Sequence, residues 1–157
     1  MKDLACLLFL LAATTASFSQ ANEPLLTTDV IFDRTALKEL RFPSEAFRQE
    51  KSVRVYVRFT LTSEGEYDDV SIVNSEPVDE SFQKELDRFW PKLPKQDPLY
   101  AGLYVIPINF LYGERGTGKP KPISNETDTI AEVRSYRILS ELPILSYILC
   151  EKKGMGE

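Results

Sequence analysis

Residues 53–61, Val-Arg-Val-Tyr-Val-Arg-Phe-Thr-Leu, alternate without a break between apolar side chains at odd positions and polar or amphipathic ones at even positions. A period of two over that length sets a strand with one face buried and the other wet. Ser63-Glu64-Gly65-Glu66 supplies turn chemistry, and Tyr67-Asp68-Asp69-Val70-Ser71-Ile72-Val73 returns as a second strand. A β-hairpin is therefore expected at the centre of the fold.

Helical spacing flanks the hairpin. Phe82, Leu86, Phe89 and Trp90 fall at i, i+4, i+7 and i+8, which predicts one apolar stripe on a helix capped by Asp79 and stopped by Pro91 and Pro94. Phe42 to Gln49 predicts a second, short helix, with Pro43 at its first position and Glu45 at its positive end. Asp33 to Leu40 offers at most a short helix.

Gly102-Leu103-Tyr104-Val105-Ile106-Pro107-Ile108-Asn109-Phe110-Leu111 reads as a third strand. Pro107 has no backbone donor, which places this strand at the sheet edge. The expected class is α+β: a small three-stranded antiparallel sheet, first strand central, with two helices on one face and an irregular C-terminal tail. Val53, Val55, Val57, Phe59, Leu61, Val70, Ile72, Phe82, Leu86 and Phe89 form the expected core.

The start of the chain reads as an export signal. Lys2 is followed by an apolar run from Leu4 to Ala13 and by small residues around Ser17 and Ser19, and cleavage between Ser19 and Gln20 fits best. The run is shorter than the about 20 apolar residues of a spanning helix. The expected division is 1–19 signal peptide, 20–41 extension, 42–112 domain and 113–157 linker and tail. Cys6 would leave with the signal, so Cys150 would be the lone cysteine of the mature chain.

A net charge of -5 and a pI near 4.9 argue against nonspecific nucleic-acid binding, which needs a clustered basic surface. The chain has no histidine, the commonest general base and a frequent metal ligand. Neither a catalytic set, nor a metal site, nor a small-molecule cofactor is expected. Gly113 to Lys119 imitates most of a phosphate-binding loop, but Pro120 stands where a hydroxyl is needed, so it reads as a linker. The acidic residues Glu64, Glu66, Asp68 and Asp69 lack the spacing of a calcium loop and read as a solvated turn. Asn125-Glu126-Thr127 is a glycosylation sequon, relevant only in a eukaryotic secretory route.

From Phe42 to Tyr112, the order helix, hairpin, helix, strand resembles the C-terminal domain of TonB, the periplasmic energy transducer of Gram-negative bacteria. Phe42-Pro43, the Glu64-Gly65 turn, Asp69-Val70, Trp90-Pro91 and the closing Val105 to Phe110 carry the resemblance. The chain shows neither the uncleaved membrane helix nor the proline-rich spacer of TonB, so a receptor-facing fold without its motor is expected.

The resemblance implies capture of an extended segment of an outer-membrane receptor or other envelope protein. Pairing would run along Leu103, Tyr104, Val105, Ile106, Pro107, Ile108, Asn109 and Phe110. With the ladder to the first strand intact, the nitrogen of Pro107 would face outward, leaving an incoming strand one donor short and its binding weaker or shifted in register. The polar face of the first strand, Arg54, Tyr56 and Arg58, reads either as an ordinary exposed sheet face or as contacts for an acidic or aromatic partner. Self-association of the edge into a homodimer is a second possibility, and a carboxylate-dependent hydrolase a third. The tail itself could also close the edge, with Ser135 to Leu139 as a fourth strand, although Ile130 to Val133 reads as easily as helix.

Overall fold

The alternating run forms β1 (Val53–Leu61), and its odd residues Val55, Val57, Phe59 and Leu61 are buried while the even ones stay half-exposed. The computed structural model describes residues 26, 30–114, 116–130 and 136–146. Residues 1–19, read above as an export signal, and both cysteines lie outside the described residues. No helix among the described residues is long and apolar enough to cross a membrane.

Strand β2 (Tyr67–Ile72) returns antiparallel to β1, with a bulge where Asp69 takes a positive φ of 50°. The connecting turn is clamped from outside. Gly65 has φ 76°, and a Cβ there would sit 2.0 Å from the carbonyl oxygen of Gln96, whose own N–H donates to Gly65 O at 2.9 Å. Only glycine meets both demands.

Among the described residues, three helices cover one face of the sheet: α1 (Val30–Glu39), α2 (Ser44–Arg48) and α3 (Glu80–Phe89). In α3 the expected stripe is buried through Phe82, Leu86 and Phe89, and Asp79 caps the helix by accepting from Ser81 N at 2.9 Å. The chain then passes into a 3-10 turn, Trp90–Lys92, that contains Pro91. Pro43 stands at the N-cap of α2, one position before that expected. Helix α1 is longer than its sequence suggested and sends Phe32 and Ala36 into the core beside Leu26 and Leu40. Phe59, Tyr67, Phe89, Trp90 and Tyr104 interlock with ring centroids 5.2–6.1 Å apart, a geometry that adds about 0.5–1.5 kcal/mol per pair beyond burial.

The sheet is larger than three strands and is mixed. Strand β3 (Gly102–Tyr112) pairs antiparallel with β1, and on its other side it pairs in parallel with β4 (Arg137–Ile138) and β5 (Leu142–Ser146). The path is β2-β1-β3-β4, with β5 also on β3. The expectation that the third strand lies at the edge is therefore corrected. It is interior, because residues of the supposedly irregular tail return beside it. Every residue from Tyr104 to Phe110 is buried, as in a strand covered on both faces.

Candidate functional site: the outer edge of β3 and the polar sheet face

Within a strand, the N–H and C=O of one residue point to the same side, and neighbours alternate. Val73 N donates to Tyr56 O at 2.9 Å, and Tyr56 N donates to Asn74 Oδ1 at 2.8 Å. The backbone of Tyr56 thus faces the β2 side, and its cross-strand partner Pro107 faces away from β1. Even residues of β3, Tyr104, Ile106, Ile108 and Phe110, bond to β1. Odd ones, Leu103, Val105, Pro107 and Asn109, face the tail. Leu139 N donating to Val105 O (2.8 Å) and Gly113 N donating to Ser146 O (3.0 Å) agree with this parity.

The missing donor of Pro107 therefore lies where the tail passes, and the tail is broken there. Tyr104 and Val105 oppose Arg137 and Ile138, but Ile108 opposes Leu142. Residues 139–141 stand against only 106–107, so the pairing slips by one residue. The slip falls at Pro107, whose missing donor lies on that side.

The polar face is engaged by the same tail. Arg54 and Asn109 are cross-strand neighbours, and Arg54 Nε donates to Asn109 Oδ1 at 2.8 Å. Asn109 Nδ2 donates to one oxygen of Glu141 at 2.8 Å, while Arg54 Nη2 lies 3.0 Å from the other. The two side chains form a cradle that receives both oxygens of one carboxylate. Arg58 Nη1 donates to the hydroxyl of Tyr136 at 3.4 Å. The acidic and aromatic contacts expected of a partner on this face come from Glu141 and Tyr136. Tyr56 has its backbone bound by Asn74.

Asparagines also finish β1 where β2 ends. Asn125 Oδ1 accepts from Arg54 N at 2.8 Å, and Asn125 Nδ2 and Asn74 Nδ2 donate to Arg54 O at 2.8 and 3.0 Å. The carboxylate of Asp128 ties them together, accepting from Asn74 Nδ2 (2.6 Å), Thr129 N (2.8 Å), Ser75 N (3.1 Å) and the Ser75 hydroxyl. Burial alone would raise its pKa; the hydrogen bonds from Ser75, Asn74, Thr129 and Asn125 outweigh it and hold the group below its ordinary value. In sequence Asn125 stood out only as a sequon, and Asp128 and Glu141 not at all. No local pattern marks a side chain that acts by reaching a strand 71 positions away, as Asn125 does with Arg54.

A shallow cleft of about 600 Å³ between α2 and α3 carries Glu45, Asp79, Glu80 and Glu85. Glu45, Glu80 and Glu85 are ion-paired to Arg48, Lys84 and Arg88, and Asp79 is the α3 cap. A second, of about 400 Å³, is lined by Tyr67, Trp90, Pro91, Leu93 and Lys95 beside the hairpin turn. The phosphate-loop imitation closes on itself, Glu114 N donating to Lys119 O and Gly118 N to Glu114 O, both at 2.9 Å. Comparison with family models, with curated proteins and with solved structures finds no match.

Proposed function

We propose that the chain is an exported protein-binding module that captures an extended segment of an envelope protein by adding it as a strand to β3. The carrying observation is that the outer side of β3 holds an extended segment, in parallel, with a carboxylate seated between Arg54 and Asn109. The helix-hairpin-helix-strand order keeps the resemblance to the TonB C-terminal domain as the source of the partner class, an outer-membrane receptor segment. A membrane motor has no part in this reading.

Titrating the mature chain with peptides from the periplasmic ends of outer-membrane receptors tests it. Saturable binding is expected. N-methylation of the peptide amide that would donate to Val105 O removes one bond from the added strand and none from the chain's own tail, so it should weaken binding about tenfold, the worth of one hydrogen bond. No binding of the unmodified peptide, or equal binding of both peptides, would contradict the proposal. Self-association through open edges is less favoured. Asp69 bulges the outer strand β2, and Pro143 has no donor to offer a strand arriving beside β5.

A further inference from the structure

The segment that fills the β3 edge belongs to the chain itself, so a partner must take its place. We infer that residues 136–146 are a removable occupant of the edge, and that Arg54 with Asn109 is the subsite that selects, by its carboxylate, what replaces them. The inference rests on the strand-addition reading and deepens it.

Three observations make this segment the exchangeable one. Its ladder is split by Pro107 into a two-residue β4 and a five-residue β5 out of step with each other, so pairing can be lost in parts. Its shortest polar side-chain fastening is Glu141, whose side chain is 55% exposed and open to competition from solvent or another acid, while Tyr136 with Arg58 and Arg137 with the Tyr104 hydroxyl make longer contacts of 3.4 and 3.3 Å. Ile138 and Leu145 are 54% and 42% exposed and add little that holds it down. Against these, Leu139, Leu142 and Ile144 reach the core, so the occupied form is the resting state and exchange is slow.

The occupant also serves as a template for its competitor. Leu142 and Ile144 oppose Ile108 and Phe110 and turn toward the helices. Gly113 N bonds to Ser146 O, so by alternation the backbone of Pro143 faces away from β3 and its missing donor costs nothing there. The matching partner is an extended segment running parallel to β3, with an acidic residue directly before two apolar residues spaced by one. An aromatic residue five positions before the acid would meet Arg58, as Tyr136 does.

The test uses the full mature chain and a fluorescent peptide of residues 136–146. Leu111→Cys with Leu145→Cys, in a Cys150→Ser background, places a disulfide between directly opposed residues of β3 and β5. The reduced protein should take up the peptide, and the oxidised protein should do so at least about tenfold less. Glu141→Lys should speed uptake of the wild-type peptide about tenfold, while a peptide carrying the same change should be rejected. Equal uptake by the oxidised and reduced forms, or no gain with Glu141→Lys, would overturn the inference. Receptor segments separate the two levels. If the reduced protein binds them and the oxidised protein does not, but Glu141→Lys changes nothing, the Arg54–Asn109 subsite fails and strand addition stands; equal binding by both redox forms puts receptor binding off β3 and sinks both. If neither binds them while peptide uptake follows the redox state, strand addition to receptors fails and exchange stands.

Discussion

Asp128 shows how much of this fold hangs on a few polar side chains. Its carboxylate gathers Asn74, Ser75, Asn125 and Thr129 into a latch that fills the place of a missing strand beside Arg54. Because its pKa is lowered by folding, the ionised form stabilises the native state above the unfolded value of about 4, and this contribution is lost as pH falls through the folded value. Asp128→Asn should lower the unfolding temperature at neutral pH, and the gap from wild type should close below about pH 4. A gap constant across that range in thermal melts would contradict the latch. The hairpin glycine was legible as a turn residue, but its close approach to Gln96 was not, since that contact depends on where a distant loop comes to rest.

Strand β3 shows what an element can and cannot disclose about its neighbours. Pro107 signalled correctly that one side of the strand lacks a donor, and the conclusion that this side is empty did not follow. A run that is apolar at both parities, Tyr104, Val105, Ile106, Ile108, is the signature of a strand covered on both faces, and it outweighs the proline. The partner strand β5 was hidden because Leu142–Ser146 is short, contains Pro143 and pairs in parallel with a segment 34 positions away. The parity itself is testable. Ile108→Pro puts a ring where the backbone bonds to β1 and should cost about 3 kcal/mol or more, whereas Pro107→Ala should leave stability within about 1 kcal/mol of wild type. Equal denaturant midpoints for the two variants would show the assignment of sides to be wrong.

Across the whole molecule, the hairpin, the capped helix α3 and most of the core on β1 and α3 were readable from periodicity, because both faces of the signal are local. The closure of the sheet was not, since it joins residues before 42 and after 112 to the same core: Leu26, Phe32 and Leu40 from one flank, Leu139, Leu142 and Ile144 from the other. Each exposed side of the described sheet carries a guard. Asp69 bulges β2, Asn74 and Asn125 fill the gap beside β1, and the tail lies on β3. Only the last is a segment of chain that another chain could imitate, and in the proposed exchange its opening is the step that precedes binding. Hydrogen exchange of the native protein measures that step directly. The account predicts that the amides of Leu139, Leu142, Ile144 and Ser146, which face β3, exchange through an opening of lower free energy than those of β1, and lose protection when a receptor segment takes the tail's place. Tail amides that exchange only with global unfolding, in step with Val55 and Val57, would contradict it.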